Sequence, residues 1–529
     1  MKGKVFKFTK RNLILFVSAM LYLLGLTSMA NNLQIGTPTK SNDTLFFTIA
    51  WDNSWRVSTG PSNYDGIWLF VKYQDCGGNR IWNHVNVVAA GTKGAPAIAL
   101  TTTVPADNKG VFIYRSADGQ GNIAATNYFF KMAAGAVGTY NYKVTGIEMV
   151  YIPQGTFDLG DGVQVNAFKN GAVVAPYSVN STAVIAATAL GATANNVQLP
   201  AGAAGVGFPK GYDPFWIMKY EISIEQYVNF LNSLTYSQQS TRIYPTLPNA
   251  ASGTFPTGYP NLAGWTGIAI NTPGTNNMIP AVFSSDCTAG NFDNFNDCQT
   301  SAMPNLSWPD LASYLCWAAL RPMTELEFEK ACRGTLPMSA NEYAWGDNNL
   351  NPVTAASISN QSQTNMVSNL ASLGLCNYAS NLTGPYRCGM LAKATTVRNT
   401  AGTTYYGVAD MSGNVREMVV GVTSGNCVGA GPTTFIGTLG TGTLDVVNGE
   451  ADVATMVWPS WTPAYTPNTP VAAAYTATLG IGTRGGGWND AVAQLRISDR
   501  NYMNTTAAGS CWLRTGAGTQ TGGRGVRQP

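Results

Sequence analysis

Residues 407–418 read Gly-Val-Ala-Asp-Met-Ser-Gly-Asn-Val-Arg-Glu-Met, and this stretch decides how the rest of the chain is interpreted. Its two carboxylates, Asp410 and Glu417, flank a turn-forming Ser-Gly-Asn triplet. A turn at that place lets both carboxylates and the backbone carbonyls of Gly413 and Val415 face one point. Ca²⁺ prefers oxygen ligands that converge in this way. On spacing alone, a surface turn with two solvated acids is the competing interpretation.

The same segment resembles a family signature, D/N-x-x-G-N-x-x-E, of the formylglycine-generating-enzyme or sulfatase-modifying factor family. That family has a variant of the C-type lectin fold. The resemblance therefore implies an α+β, C-type-lectin-like domain over residues 146–529. Further segments resemble the family in the expected order, and they are residues 146–157, 215–223, 306–308, 320–330, 343–346, 484–488, 496–500 and 523–527.

The N-terminus has the pattern of a secretory signal peptide. Five basic residues precede an apolar run at 13–26, and small residues follow at 28–30. A membrane anchor is the alternative, but a run of 14 residues is short for a span. We therefore expect a signal peptide at 1–30, no transmembrane segment after its removal, and a protein that is secreted to the cell surface or beyond, with the periplasm as the alternative.

Composition excludes two broad classes of protein. Hydrophobic residues make up 45% of the chain, so it is not a disordered protein. Only 11% of residues are charged, which suits an exported, loop-rich β protein. Without the five basic residues of the N-terminus, 26 basic residues face 28 acidic ones, so a nucleic-acid partner has no electrostatic basis.

Residues 31–145 are predicted to form a separate β-sandwich domain. Aromatic and β-branched runs at 46–51, 66–73 and 110–115 are bounded by turn residues, and no helical apolar period appears. Four tryptophans of this region could line a sugar site, although packing in the core and at the edges is the favoured interpretation. They are Trp51, Trp55, Trp68 and Trp82.

The second domain is predicted to begin at Gly146 and to carry three insertions, near 160–210, 235–304 and 421–480. Helix-capping patterns start at Ser223, Ser307 and Thr324. The first two are followed by apolar residues at helical spacing, and the third is predicted to start a short helix that runs through Cys332. The insertions are rich in Gly, Thr, Asn and Pro, which is typical of loops.

The chain has nine cysteines, and export makes disulfides possible. Two pairs are close in sequence and lie in polar loops, so we expect local bridges Cys287–Cys298 and Cys376–Cys388. Cys316 and Cys332 are expected to be buried thiols. An odd count leaves at least one cysteine unpaired.

The metal ligands on which the family's enzymes depend are missing from this chain. In the family, oxidation depends on two cysteines that hold Cu(I) just after a glycine-rich strand, but residues 484–496 contain no cysteine. A second branch of the family binds iron through histidines, and this chain has only His84. Aspartates that could act as a general acid and a general base are present, but the sequence does not fix the distances between them. We therefore expect no copper, no iron and no enzymatic activity.

The resemblance implies one structural calcium ion. It places Asp410 and Glu417 as side-chain ligands and Gly413 and Val415 as carbonyl ligands, and all four positions match the signature. Ca²⁺ is thus the one cofactor that we expect.

The function predicted for the chain is non-catalytic ligand binding or structural assembly on a C-type-lectin-like scaffold at the bacterial cell surface. The partner would be a glycan or a protein. One alternative is a self-assembling filament or surface-layer component, and another is an enzyme of the family with unrecognised chemistry. The C-terminal loops hold aromatic and amide side chains suited to recognition. The predicted contact residues are Asn489, Asp490, Asn501, Tyr502, Asn504 and Trp512.

Overall fold

A computed structural model of the chain gives an α+β fold, as predicted. In the part of the chain that is described, no helix is both long and apolar enough to cross a membrane. The predicted signal peptide, Asn504 and Trp512 lie outside the described residues. The structure describes residues 32–529 except 76–77, 79, 165, 192–206, 257, 260–261, 263, 289, 291–296, 394, 423–434, 460–479 and 504–519.

Residues 34–132 are built from strands, as their aromatic and β-branched runs predict. They are β1 (Gln34–Ile35), β2 (Thr39–Ser41), β3 (Thr44–Arg56), β4 (Tyr64–Gln74), β5 (Trp82–His84), β6 (Val87–Thr92), β7 (Leu100–Thr103), β8 (Val111–Arg115) and β9 (Gly119–Met132).

The remainder mixes short strands with short helices. The strands are β10 (Asn141–Ile152), β11 (Phe157–Leu159), β12 (Tyr177–Val179), β13 (Phe215–Met218), β14 (Ile268–Thr272), β15 (Val282–Ser285), β16 (Arg321–Pro322), β17 (Asn351–Pro352), β18 (Ile358–Ser359), β19 (Val367–Ser368), β20 (Leu375–Cys376), β21 (Arg416–Val420), β22 (Ile481–Arg484), β23 (Thr521–Gly522) and β24 (Gly525–Arg527). The helices are α1 (Ile224–Leu231), α2 (Tyr236–Arg242), α3 (Trp308–Trp317), α4 (Glu325–Arg333) and α5 (Val453–Met456).

One large sheet joins the two predicted domains. Its strands run in the order β16-β24-β13-β10-β4-β3-β9-β6. Strand β10 pairs with β4 along residues 141–151 and with β13 along residues 149–152. The boundary predicted between residues 145 and 146 therefore falls inside a continuous strand, and the structure shows no break there.

Strand β4 is buried on both faces. Because side chains alternate across a strand, neighbouring residues of β4 enter two different cores. Ile67 and Leu69 enter a core formed with β3, β8 and β9. Trp68 and Phe70 enter the main core, where α1 and α3 also pack. A strand covered on both faces reads as a continuous apolar run, and this one does.

The tryptophans of the N-terminal region are chiefly packing residues. Trp51 and Trp68 are fully buried, and the Trp68 indole N–H donates to the Ala318 carbonyl at 2.9 Å. Trp55 and Trp82 are half-buried. Trp68 therefore fastens the N-terminal strands to the end of α3 rather than lining a sugar site.

The three capping patterns are confirmed. Ser223, Ser307 and Thr324 each accept a hydrogen bond from the backbone amide three residues later, which begins α1, α3 and α4. In each case the side chain at that third position returns a bond to the backbone of the cap. These reciprocal bonds satisfy amides that a helix start otherwise leaves unpaired.

One of the two predicted local disulfides is present. Cys287 and Cys298 are bridged. The prediction of a Cys376–Cys388 bridge is wrong, because both are free, buried thiols. The Cys376 thiol donates to the Ser412 carbonyl at 3.0 Å, and the Cys388 thiol donates to the Glu221 carbonyl at 3.6 Å. Cys316 and Cys332 are buried thiols, as expected.

Candidate functional site

Segment 407–418 folds as a tight turn that leads directly into β21. Asp410, Gly413 and Asn414 all have positive φ, at 60°, 83° and 62°. A Cβ atom on Gly413 would lie 2.2 Å from the Cys376 sulfur, so only glycine fits at this position. The turn brings Asp410 and Glu417 inside the protein, where they are 2% and 1% exposed. The interpretation as a solvated surface turn is therefore wrong.

A third acid, Glu221, joins the two that the sequence indicated. Its carboxylate accepts from the Val415 amide at 3.0 Å and from the Asn414 side-chain amide at 2.7 Å. Glu221 precedes α1 and is 1% exposed. We call Glu221, Asp410 and Glu417 the buried acid cluster. Sequence reasoning missed Glu221 because it lies almost 200 residues from the turn.

Every carboxylate of the buried acid cluster has donors from the protein. Arg524 donates to both oxygens of Glu417, at 2.9 Å and 2.6 Å. Asp410 accepts from the Tyr386 hydroxyl at 3.1 Å and from the Gly389 amide at 2.6 Å. The arginine is fully buried. The cluster is therefore organised around one guanidinium and several backbone amides.

Burial raises the pKa of all three carboxyls. For Glu221 the pKa is raised well above its usual value, first by burial and then by the negative charge of Asp410. Burial also raises the pKa of Asp410 and of Glu417, although Arg524 opposes the shift in both. One arginine thus only partly compensates three buried acids.

The predicted contact residues of the C-terminal loops, which we call the predicted ligand face, are also bonded to neighbouring side chains. Asp490 is buried, and both its oxygens accept from Arg416. The same carboxylate accepts from the Tyr502 hydroxyl at 2.8 Å. The Arg416 guanidinium lies 3.9 Å above the Tyr502 ring. Asp490 therefore fixes Arg416 and Tyr502 and is not available to a ligand.

The amides of this face are more accessible. Asn489 is exposed, and its backbone amide donates to the Gln520 side chain at 2.7 Å. Asn501 is half-buried, and its side-chain oxygen accepts from Asn166 at 3.4 Å. Trp488, which directly follows Gly485-Gly486-Gly487, is buried. Of the predicted contact residues that are described, Asn489, Asn501 and Tyr502 reach the surface.

The turn, the glycines at 485–487 and the capped helix α4 all lie within the part of the chain that a known family model matches. The model for the sulfatase-modifying factor enzyme 1-like domain matches residues 136–511. The chain belongs to this family. The match begins just before β10, so the strand that crosses the predicted boundary belongs to the family domain.

Two other comparisons add little to the family assignment. No curated protein matches the sequence. Among solved structures, the chain matches the Treponema denticola variable protein 1 with 12% identity, 73% of this chain and 96% of that chain covered, and a TM-score of 0.29. A TM-score that low does not establish a shared fold.

The calcium ion that the family resemblance implies does not fit the buried acid cluster in this arrangement. Calcium needs six to eight oxygens with free lone pairs around one point. Here Arg524 binds both oxygens of Glu417, and a cation beside a buried guanidinium is repelled. In the described parts of the chain, no group of three or more His, Cys, Asp or Glu residues could hold a metal.

The arginines near the predicted ligand face are likewise engaged. Arg484 and Arg500 are fully buried and converge on Glu325 of α4, at 2.8 Å and 2.7 Å. Arg484 also donates to Glu329 at 2.5 Å. Burial alone would raise the pKa of Glu325, but Arg500 and Arg484 outweigh it, so the net shift is downward. These ion pairs fasten the C-terminal segment to α4.

Proposed function

We propose that this chain is an exported, non-catalytic member of the sulfatase-modifying factor family that binds a glycan or a protein at the bacterial cell surface. In this proposal a C-type-lectin-like scaffold presents the binding loops, and a β-sandwich precedes it. The packing of β3 and β9 against β4 and β8 around one apolar core supports the sandwich.

The proposal rests on the composition and contacts of one loop. The loop after Gly485-Gly486-Gly487, where the family's enzymes hold their copper thiolates, here contains Asp490 locked to Arg416. No cysteine occurs between Cys427 and Cys511. A carboxylate that already binds a guanidinium and a tyrosine hydroxyl has neither a free proton nor a free lone pair in the right place for acid–base work. The loop is thus built for rigidity.

A rigid base with exposed amides is suited to recognition. The Arg416–Asp490–Tyr502 contacts fix the backbone beneath Asn489 and Asn501. Amide side chains held on a rigid support bind hydroxyl and peptide groups at low entropic cost. The proposed contacts are therefore Asn489, Asn501 and the exposed edge of Tyr502.

Binding of the full-length protein to a printed array of glycans and cell-surface proteins tests this proposal. The informative variant is Asn489→Ala with Asn501→Ala, because neither side chain is buried. The matched control is Gln120→Ala, an exposed amide in the N-terminal strands. We expect the double variant to lose at least about tenfold in affinity while the control binds normally. Equal binding by both variants would place the site elsewhere.

Self-assembly is the second candidate. Two pairs of neighbouring valines are exposed, with Val173 and Val174 at 63% and 64% and Val446 and Val447 at 59% and 55%. Exposed apolar side chains next to one another favour association, particularly on a surface with few charges. Light scattering of the purified protein over a concentration series separates the two candidates, since assembly gives a mass that grows with concentration.

A further inference from the structure

One edge of strand β10 borders a cavity of about 320 Å³, which we call the β10 cavity. Strand β10 pairs with β4 along residues 141–151, but β13 pairs with its other edge only along residues 149–152. After β13 the chain leaves the sheet for α1, so no described strand covers that edge at residues 143–147. Residues of α1 and of the end of α3 close the gap instead. The cavity therefore exists because β13 is shorter than its neighbour.

The wall of the β10 cavity contains buried polar groups that no protein atom satisfies. Trp317, at the end of α3, is 3% exposed, and its indole N–H has no acceptor. Thr300 is 8% exposed, and its hydroxyl has no partner either. The Thr145 hydroxyl and the Oε1 atom of Glu148, both on β10, are also unpartnered, and all four residues line the cavity. Because a buried polar group without a hydrogen bond destabilises the fold, four of them beside one cavity point to a ligand.

The charged side chains of the β10 cavity do not neutralise each other by direct contact. The Lys143 ammonium donates to the Asn229 side chain at 2.8 Å, and Glu225 of α1 contributes a carboxylate at the exposed mouth. Burial lowers the pKa of Lys143 to about 8, and the charge of Glu225 opposes this shift. Burial raises the pKa of Glu225, and the charge of Lys143 opposes it. The two groups thus act on each other across the cavity, although no ion pair joins them in the described chain.

This combination of groups favours a neutral ligand that is rich in hydroxyls. The carboxylates of Glu148 and Glu225 repel an anion, and the ammonium of Lys143 repels a cation. The indole N–H of Trp317 can only donate, an ionised carboxylate can only accept, and a threonine hydroxyl does both. A sugar hydroxyl donates and accepts at once, so it can satisfy all three kinds of group. The volume lies at the small end of the range of ~300–1,000 Å³ for ligand sites, which suits a single sugar ring.

We propose that the β10 cavity binds one neutral monosaccharide unit through the side chains of Thr145, Thr300, Trp317 and Glu225. None of the residues that line the cavity belongs to the predicted ligand face. The β10 cavity is therefore a second site, and it does not depend on the function proposed for the C-terminal loops.

Saturation-transfer difference NMR of the full-length protein tests the proposal. The probes are D-glucose, D-galactose, D-mannose and N-acetyl-D-glucosamine, with glycine and serine as zwitterionic comparisons. The key variant is Thr145→Val with Thr300→Val, which removes two unpartnered hydroxyls with little change in shape. Glu225→Ala is the second variant if the first does not fold, because this side chain is exposed. The matched control is Thr241→Val on α2, a buried unpartnered hydroxyl that does not line the cavity.

We expect at least one of the four sugars to receive saturation from the wild-type protein and from Thr241→Val. Its affinity should fall about tenfold or more in the double valine variant, because two hydrogen bonds to the sugar are lost. The same sugar should raise the Tm of the wild type but not of the double variant. The Asn489→Ala with Asn501→Ala variant should bind the sugar normally, so failure of this site and failure of the predicted ligand face are distinguishable.

Three results would overturn the proposal. If none of the four sugars responds to the wild-type protein, the cavity is not a monosaccharide site. If a sugar response survives in both Thr145→Val with Thr300→Val and Glu225→Ala, the sugar binds elsewhere. If glycine or serine receives more saturation than any sugar and loses it in the cavity variants, the ligand is a zwitterion and not a saccharide.

Discussion

Replacing Arg524 with methionine removes the guanidinium that binds both oxygens of Glu417 and keeps a side chain of similar length. Arg524 donates to both oxygens of Glu417 and also to the Ala409 and Met218 carbonyls, at 2.8 Å and 3.0 Å. Removing one partner from a buried, hydrogen-bonded ion pair costs about 3–5 kcal/mol, because the other charge is left uncompensated. We expect Arg524→Met to lose about that much unfolding free energy at pH 8.

The pH dependence of this loss identifies its cause. The folded pKa values of Glu221, Asp410 and Glu417 are all raised, so these acids bind protons more tightly in the folded state than in the unfolded state. Their contribution to stability is present at low pH and is lost as the pH rises through the folded pKa values. Removing Arg524 raises those values further. The deficit of Arg524→Met should therefore shrink from pH 8 to pH 5.

Urea unfolding, followed by tryptophan fluorescence at both pH values, measures this effect. A cycle with Glu417→Gln and the double variant should give a coupling energy of about 2 kcal/mol between the two residues. A loss below about 1 kcal/mol, or a loss that is the same at pH 5 and pH 8, would refute the electrostatic account of the cluster.

Two further predictions concern buried groups elsewhere. Burial lowers the pKa of Lys72, which donates to the Gly442 carbonyl at 2.6 Å, so the unfolded chain binds this proton more tightly and stability should rise with pH up to the unfolded value near ~10.4. Lys72→Met should flatten that rise, by at most about 1.4 kcal/mol per pH unit below the unfolded value, and an unchanged slope would contradict the assignment. Cys376 and Cys388 should be alkylated only after denaturation, as free thiols. A disulfide-linked Cys376–Cys388 peptide in an unreduced digest would show that they are bridged.

Local features of this chain could be read from its sequence. The caps at Ser223, Ser307 and Thr324 each depend on side chains and amides within three residues, so a short pattern contains all the necessary information. The apolar run of β4 is equally local. The tight turn at 407–418 also follows from its own glycine and asparagine.

Long-range pairing could not be read in the same way. Nothing in residues 141–152 states that this strand pairs with β4 on one side and β13 on the other, so the sequence did not show that one strand crosses the predicted domain boundary. The partners of the candidate-site acids are also distant in sequence. Glu417 meets Arg524 across 107 residues, and Asp490 meets Arg416 across 74. A single sequence shows which acids are present but not which arginines bind them.

Mass spectrometry of a Cys-x-Pro-x-Arg peptide, incubated with the purified full-length protein, copper and oxygen, tests most directly whether this family member binds rather than oxidises. We predict no formylglycine above the level of a control with copper alone, because the loop after Gly485-Gly486-Gly487 holds Asp490 bound to Arg416 and no cysteine. Formylglycine above that control, with repeated turnover per protein molecule, would contradict the non-catalytic account.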